Sequence, residues 1–170
     1  MTQPATSDSN ITLRFLAEPT DVNFGGNVFG GSVMKWIDHA GYTCAATWSH
    51  SYCVTAYVGG IRFLRPIRVG DLVELKAEVM HTGTTSMHIS VSVYARDPKT
   101  ADARFTTHCI LVFVAMDGDG QPCPVPSFVP ETDHGRRLNN YARKMIELRK
   151  NMQDEAASFL DELEVGQPTE

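Results

Sequence analysis

The chain has 170 residues, enough for one domain with a substantial buried core. Its composition, 42% hydrophobic and 21% charged, is that of an ordinary globular protein, and no apolar run approaches the length of a membrane span. The formal net charge of -5 argues against a nucleic-acid-binding protein, which normally carries a basic surface.

The first third of the chain predicts a strand, a glycine-rich loop and a long helix. Residues 1–10 are small and polar, which favours a disordered tail, and they lack the basic and apolar regions of a signal peptide. Residues 11–19 alternate as a strand does, and residues 20–31 contain four glycines. The positions that follow recur with the three-and-four spacing of one helix face: Val33, Met34, Ile37, Gly41, Cys44, Ala45 and Trp48.

Four strand-like segments come next, at residues 53–65, 71–82, 86–96 and 103–117. Gly59-Gly60 predicts a bulge or a close backbone approach in the first of them. The last, which is the most apolar, is expected inside the sheet. The order predicts an α+β fold, with an antiparallel sheet of about five strands covered by one helix. Such a sheet leaves apolar surface exposed, so we expect a homo-oligomer.

The last quarter of the chain changes in composition. Residues 118–132 are rich in proline and favour an extended connector. Residues 133–164 then predict a C-terminal helix that Thr132 or Asp133 caps. One face of this helix carries Leu138, Tyr141, Met145, Leu148 and Met152.

The four cysteines predict reduced, buried thiols rather than a metal site. Cys44, Cys53, Cys109 and Cys123 form no CxxC pair and no His/Cys cluster with the spacing of zinc ligands. Free cysteines of this kind are typical of a reducing compartment, so we expect a cytoplasmic protein without a bound metal.

The segment GGNVFGGS, residues 25–32, admits three interpretations. A phosphate-binding loop is disfavoured because Gly31 stands where the lysine belongs. The glycines alone are compatible with a tight turn into the helix. Alternatively, the segment is part of a functional site. The helix start then offers free backbone N–H groups that can polarise a carbonyl oxygen or hold an anion, and Asn27 and an acid further along the helix complete the site. Asp38 is a candidate, because it borders the apolar helix face, although a surface ion pair, for example with Lys35, also accounts for it.

Three motifs then identify a family resemblance. NxxGNVFGGxxMxWxDxA (residues 23–40), FxxPxxVGD (63–71) and HTGTTS (81–86) resemble the hotdog-fold acyl-CoA thioesterases. The similarity is greatest to the branch of brain acyl-CoA hydrolase and its short bacterial relatives, and it extends from about residue 11 to 150. It implies a single hotdog domain over residues 11–117, in which the sheet wraps around the long helix.

The resemblance also implies an active site shared between subunits. Asn27 of one subunit is expected to meet Asp38 of the other in a dimer or a trimer of dimers. Asp38 is then a general base or a nucleophile, and both roles are open. Backbone N–H groups near Gly30 and Gly31 are candidates for polarising the thioester carbonyl. A dyad of Asp38 with His39 is disfavoured, because adjacent helical residues point apart.

The implied substrate is an acyl-CoA, so no separate cofactor is expected. Met34, Tyr57 and Met87 are candidates for the acyl tunnel. A hotdog dehydratase and a non-catalytic acyl-CoA-binding protein are the alternative functions. Contacts to the CoA portion are expected from Arg62, Arg65, Gly83, Thr84, Thr85, Ser86, Arg136 and Arg137, although a plain hairpin and solvated charges also account for these residues.

Overall fold

The computed structural model describes residues 9–165, and it describes side chains for residues 9–152. Most of the predicted tail (residues 1–8) and residues 166–170 lie outside the described residues. The elements are β1 (Asn10–Leu16), a 3₁₀ helix (Pro19–Asp21), α1 (Gly30–Ser49), β2 (Tyr52–Phe63), β3 (Leu72–Thr82), β4 (Ser86–Arg96), β5 (Arg104–Met116) and α2 (Asp133–Val165). The chain divides into two compact units, residues 1–129 and residues 130–170.

The five strands form one antiparallel sheet in the order β1-β3-β4-β5-β2. This confirms the predicted α+β arrangement, with β5 as an interior strand and with β1 and β2 as the two edges. β1 begins at Asn10, and the carbonyl of Ser9 accepts a hydrogen bond of 2.7 Å from the Val79 N–H. The strand therefore takes in the end of the segment predicted to be a tail.

Helix α1 packs across one face of the sheet and contacts all five strands. Gly41 permits the closest approach, because a Cβ atom at this position would lie 2.8 Å from Cε2 of the buried Phe113. Met34, which was predicted on the buried face, is 48% exposed. It lies one helical turn before Asp38 and shares the border of the helix with it, not the face toward the sheet. The residues of α1 that are buried are Val33, Ile37, Ala40, Gly41, Cys44, Ala45 and Trp48.

Edge strand β2 is irregular at two places. Its register with β5 shifts between Gly59 and Arg62, and Gly60 has a φ of 65°, which confirms the predicted bulge. A second shift lies between Thr55 and Tyr57. Each shift changes the direction of the neighbouring side chains. The side chains of β2 therefore do not alternate strictly between the two faces of the sheet.

The first part of the proline-rich connector is hydrogen-bonded to the end of β3 and to the turn between β3 and β4. The Val125 N–H donates to the carbonyl of Thr84 at 2.9 Å, and the Phe128 N–H donates to Oγ1 of Thr82 at 2.9 Å. Its side chains at Val125 and Phe128 pack against the core. The connector is therefore a structural part of the sheet's end up to residue 128.

Two tryptophans mark opposite ends of α1. Near the start, the Trp36 ring packs edge-on against Phe15 of β1, with ring centroids 4.9 Å apart. Near the end, Trp48 donates from Nε1 to the carbonyl of Pro126 at 3.0 Å and packs edge-on against Phe128 at 5.8 Å. Each end of the helix is thus tied to a different part of the chain by an aromatic contact.

The second unit contains α2, whose first turn confirms one of the two predicted caps. Thr132 Oγ1 accepts a hydrogen bond of 3.0 Å from the Gly135 N–H. On the predicted apolar face of α2, Tyr141, Leu148 and Met152 are all exposed.

The four cysteines are free thiols, as predicted, and three of them are buried. Cys123 is only half-buried, because it lies on the connector at the end of the sheet. Burial raises the pKa of Cys44 to about 12 and that of Cys109 to about 11. Both thiols are therefore protonated at neutral pH and behave as small apolar side chains.

Candidate active site

The side chain of Asn23 organises the glycine-rich loop. Its Oδ1 accepts hydrogen bonds from the Gly25 N–H at 2.8 Å and from the Asn27 N–H at 3.2 Å. The Asn23 N–H in turn donates to the carbonyl of Asn27 at 2.7 Å. These bonds close the loop on itself, and a left-handed Gly26 (φ 79°) completes the turn. Because the Asn23 oxygen is engaged by the loop, its NH₂ group is the part available to a ligand.

Helix α1 begins immediately after this loop, at Gly30. Phe29 occupies the N-cap position and provides no side-chain hydrogen bond. The first N–H groups of a helix have no partner within the helix, so those at the start of α1 are available to a negatively charged or polarised oxygen. A side chain at Gly31 would collide with the Phe29 ring, at 2.3 Å from its Cε1. The glycine therefore lets the chain turn tightly into the helix.

Asp38 lies at the half-exposed border of α1, as its place on the helical wheel predicted. Its Oδ1 accepts a hydrogen bond of 2.7 Å from Oγ1 of Thr55 on β2. The Thr55 hydroxyl thus binds one carboxylate oxygen of Asp38, Oδ1, and does not occupy the other, Oδ2. The partner of Asp38 is thus Thr55, whereas the ion-pair alternative required a cation such as Lys35.

A cleft of about 340 Å³ lies beside the loop and the helix start. Asn23, Asn27 and Gly30 form one side of it, and Phe63 and Arg65 form the other. The structure therefore brings three of the predicted site residues, Asn27, Gly30 and Arg65, into one cleft.

Asp38 belongs to a different region of the same chain. It follows Gly30 by eight residues along a continuous helix, which corresponds to roughly 12 Å at 1.5 Å per residue. A single thioester carbon cannot be reached from both places, because reacting groups need to approach within about 3–3.5 Å. Within one chain, the loop and the acid are therefore two separate parts of a site.

The residues predicted to contact CoA fall into separate groups. Arg62 is exposed and pairs with His108 of β5, whereas Ser86 pairs with Val114 at the other end of that strand. Six residues of strand separate the two places by roughly 20 Å. In the 83–86 turn, the Gly83 N–H donates to the Ser86 carbonyl at 2.8 Å. One chain therefore presents the turn and the arginines at opposite ends of the sheet.

The predicted arginines of α2 lie in the second unit. Both Arg136 and Arg137 are exposed. Arg136 donates to the carbonyl of Glu131 at 2.8 Å and forms an ion pair with Asp133 in the first turn of the helix. These contacts give Arg136 a local capping role, and its contact with CoA stays a prediction.

The acyl-tunnel candidates differ in exposure. Met34 is exposed beside Asp38, and Tyr57 is half-buried on β2. Met87 is fully buried in the core between the sheet and α1. The part that these three residues play in an acyl tunnel stays a prediction.

Two residues of the site, Asn23 and Thr55, were missed in the sequence. An asparagine two residues before a glycine is a recognised turn former, so the signal for Asn23 was present in the NFGG segment. Thr55 gave no such signal. Its neighbour, Asp38, is 17 residues earlier, and only the packing of β2 beside α1 brings the two together.

The sequence is similar to a family of known proteins. The pattern of the Thioesterase superfamily matches residues 25–101. The uncharacterized acyl-CoA thioester hydrolase YkhA of Bacillus subtilis is 34% identical over 150 residues, which are 88% of this chain and 87% of that protein. The chain belongs to the thioesterase superfamily.

Solved thioesterase structures share its fold. An apo-hexameric acyl-CoA thioesterase has a TM-score of 0.83 and 35% identity, over 87% of this chain and 95% of that one. This similarity confirms the predicted hotdog arrangement. An alanine variant of the Staphylococcus aureus acyl-CoA hydrolase, in complex with coenzyme A, has a TM-score of 0.87 and 29% identity, over 93% of this chain and 95% of that one.

The Staphylococcus aureus enzyme has been solved with three different alanine substitutions. They replace an asparagine at its position 28, an aspartate at its position 43 and a threonine at its position 60. The same enzyme has been solved with butyryl coenzyme A and coenzyme A. Among the residues that the structure describes, no helix is both long and apolar enough to cross a membrane.

Proposed function

We propose that this member of the thioesterase superfamily hydrolyses acyl-CoA thioesters to a carboxylate and free CoA. The observation that carries the proposal is the hydrogen bond from Thr55 to Asp38, which presents an oriented carboxylate at the surface of α1. The similarity to acyl-CoA thioester hydrolases and to a hydrolase solved with butyryl coenzyme A supports the substrate class. The reaction needs no cofactor, because CoA is part of the substrate and the product.

The three substituted positions of the Staphylococcus aureus enzyme have counterparts of the same residue type here. Asn23, Asp38 and Thr55 each lie five positions earlier in this chain than the asparagine, aspartate and threonine of that enzyme. A constant offset over three residue types supports an equivalent site. It also favours Asn23 over Asn27 as the asparagine that acts on the substrate.

Asp38 activates the attack on the thioester carbonyl. As a general base, its free oxygen removes a proton from water while the water oxygen bonds to the carbonyl carbon. The tetrahedral species then collapses, the C–S bond breaks, and the sulfur leaves as the CoA thiol after taking up that proton. As a nucleophile, the carboxylate bonds to the carbonyl carbon, the C–S bond breaks and CoA leaves as a thiolate that takes a proton from solvent. Water then hydrolyses the mixed anhydride, which releases the carboxylic acid and regenerates Asp38. In both routes the Thr55 hydroxyl holds the carboxylate in position.

The loop and the helix start act on the carbonyl oxygen. The NH₂ group of Asn23 is a donor for water or for the thioester oxygen, and Asn27 lines the same cleft. The backbone N–H groups near Gly30 and Gly31 are suited to negative charge as it develops on that oxygen. These groups stabilise the tetrahedral species more than the neutral thioester, which lowers the barrier.

A complete site therefore takes its parts from two chains. The separation of roughly 12 Å along α1 supports this, because Asp38 of one chain must meet the loop of another. Strand β2 is a free edge within the described sheet and carries the exposed side chains of Tyr52, Val58 and Phe63, which supports association along that edge. We propose a dimer, assembled further into a trimer of dimers.

The test is release of free thiol from a panel of acyl-CoA substrates by the wild-type protein and by Asp38→Asn. The variant keeps the size of the side chain and loses its basicity, so we expect turnover to fall by at least about 100-fold. His39→Gln changes an exposed neighbour on the same helix and serves as the control. Wild-type rates in Asp38→Asn contradict the assignment of Asp38.

The wild-type protein also distinguishes the two alternative functions. Hydration of an enoyl-CoA without thiol release identifies a dehydratase, and tight CoA binding without turnover identifies a binding protein.

A further inference from the structure

An ion pair between the buried Asp71 and the side chain of Arg104, which is one third exposed, lies beneath the turn that follows β2. Asp71 is only 6% exposed, and its Oδ2 is 2.5 Å from Nη2 of Arg104 at the start of β5. The same oxygen accepts a hydrogen bond of 3.0 Å from the Arg68 N–H. Among the described residues, Nε of Arg104 is a buried atom with no hydrogen-bond partner. The pair is thus incompletely satisfied, and such pairs contribute little net stability.

The Asp71 carboxylate fixes the conformation of the turn from Pro66 to Asp71. In addition to the Arg68 contact, the Asp71 N–H donates to the Arg68 carbonyl at 3.1 Å. Gly70 has a φ of 83°, a left-handed conformation that glycine adopts without steric cost and that lets the chain turn here. The Gly70 N–H also donates to the carbonyl of Ala17 at 2.8 Å, which ties the turn to the segment after β1.

The turn is in direct contact with the loop of the candidate active site. The Val28 N–H donates to the carbonyl of Ile67 at 2.9 Å, and Asn27 forms a β-bridge with Arg68. A continuous set of hydrogen bonds therefore runs from Arg104 through Asp71 and the turn to the loop that Asn23 closes.

We propose that Asp71 and Arg104 are positioning residues for the proposed hydrolysis. They hold the turn, and through it the loop that carries Asn23 and Asn27, in register with the start of α1. Neither residue lines the cleft beside that loop. The expected effect of these residues on turnover rests on the proposed function. The mechanical link from the ion pair to the loop does not, because it can be measured without any reaction.

The mechanical link is tested by hydrogen–deuterium exchange of peptides that cover residues 20–31. In Asp71→Asn, we expect the amides of this segment to exchange faster, because the Val28 N–H donates to the Ile67 carbonyl of the turn and loses this partner when the turn moves. Glu74→Gln is the matched control, since it weakens the exposed Arg14–Glu74 ion pair on β1 and β3. Unchanged exchange of the loop in Asp71→Asn, in a folded protein, overturns the proposal whether or not the protein hydrolyses thioesters.

The effect on turnover is tested in a double-mutant cycle with Asn23→Ala. Displacement of the loop should lower kcat by roughly 10-fold to 100-fold in Asp71→Asn and leave KM within about twofold. If Asp71 acts through the loop, this loss should largely vanish in the Asn23→Ala background, because the group being positioned is already gone. Equal losses in both backgrounds indicate a merely structural role and contradict the proposal.

A second variant covers the case in which Asp71→Asn fails to fold. Arg104→Lys keeps the positive charge opposite Asp71 and removes the planar guanidinium, so the pair persists with poorer geometry. It is expected to give the same pattern of exchange and turnover at smaller size. Absence of thiol release by the wild-type protein contradicts the proposed function alone, and the exchange comparison still decides the positioning role.

Discussion

Thr55 Oγ1 donates a hydrogen bond of 2.7 Å to Oδ1 of Asp38 and so joins the edge strand β2 to the exposed border of α1. A carboxylate on a helix surface normally samples several rotamers. The hydroxyl restricts this one, and the restriction comes from a strand that the chain reaches only after α1 has ended.

Replacing Thr55 tests the value of this contact. A hydrogen bond to a charged group contributes about 1.5–3 kcal/mol, so Thr55→Val should lower kcat/KM by roughly 10-fold to 100-fold. Thr55→Ser keeps the hydroxyl and should stay within a few fold of wild type. The measurement is thiol release at saturating and limiting acyl-CoA. If the serine variant is as impaired as the valine variant, the methyl group rather than the hydrogen bond is what matters.

Mixing two inactive chains tests whether the site is shared. Co-refolding Asn23→Ala with Asp38→Asn in equal amounts makes about half of all dimers mixed, and each mixed dimer has one intact site of two. Roughly a quarter of wild-type activity should return. A parallel mixture uses Asn27→Ala in place of Asn23→Ala. The asparagine that acts on the substrate is the one whose alanine variant is inactive alone and recovers when mixed. Activity equal to the mean of the separate variants would mean that the residues act within one chain.

Gly41→Ala tests the close packing of α1 on the sheet. The added methyl group would lie 2.8 Å from the buried Phe113 ring and 3.2 Å from Leu111 Cδ1. Overpacking of this kind costs about 1–3 kcal/mol of unfolding free energy, which outweighs the better helix propensity of alanine. Gly118→Ala, where no atom lies within 4 Å of the added Cβ, is the control. Chemical denaturation measures both, and a Gly41→Ala protein as stable as wild type contradicts the packing.

Thiol labelling tests the burial of the cysteines. At pH 8, Cys44 and Cys109 should react negligibly with iodoacetamide, because burial raises the pKa of Cys44 to about 12 and that of Cys109 to about 11. Cys123, which is only half-buried, should be modified first. Peptide mass spectrometry identifies the labelled site, Cys123→Ser removes it, and denaturant exposes the remaining thiols. Early labelling of Cys44 in the native protein would show that the core opens readily.

The elements of the fold were predictable because each has a local signal. The period of α1 and the alternation in β3 and β4 are visible within a few residues, and Thr132 precedes α2 as a cap does. Met34 was misplaced because a helical wheel gives the direction of a side chain but not which part of the apolar arc faces the sheet. The packing of Gly41 on Phe113 selects that part.

The candidate site could be assembled from the sequence only where its residues lie close together along the chain. The loop, Gly30 and Asp38 belong to one stretch of 16 residues and were found together. Thr55 and the Asp71–Arg104 pair depend on partners 17 and 33 residues away, which strand pairing and helix packing bring together. The periodicity of a sequence indicates local secondary structure and does not indicate which residues far apart in the chain come into contact.

The aromatic contacts at the two ends of α1 give the protein a pair of built-in optical probes. Trp36 reports on β1 through Phe15, and Trp48 reports on the connector through Pro126 and Phe128. These are the two tryptophans of the chain, so changing either one to phenylalanine leaves a single emitter at a known place. Release of the connector then changes the emission of Trp48 alone, whereas detachment of β1 changes that of Trp36. Fluorescence can therefore separate loosening at each end of the helix from collapse of the whole fold.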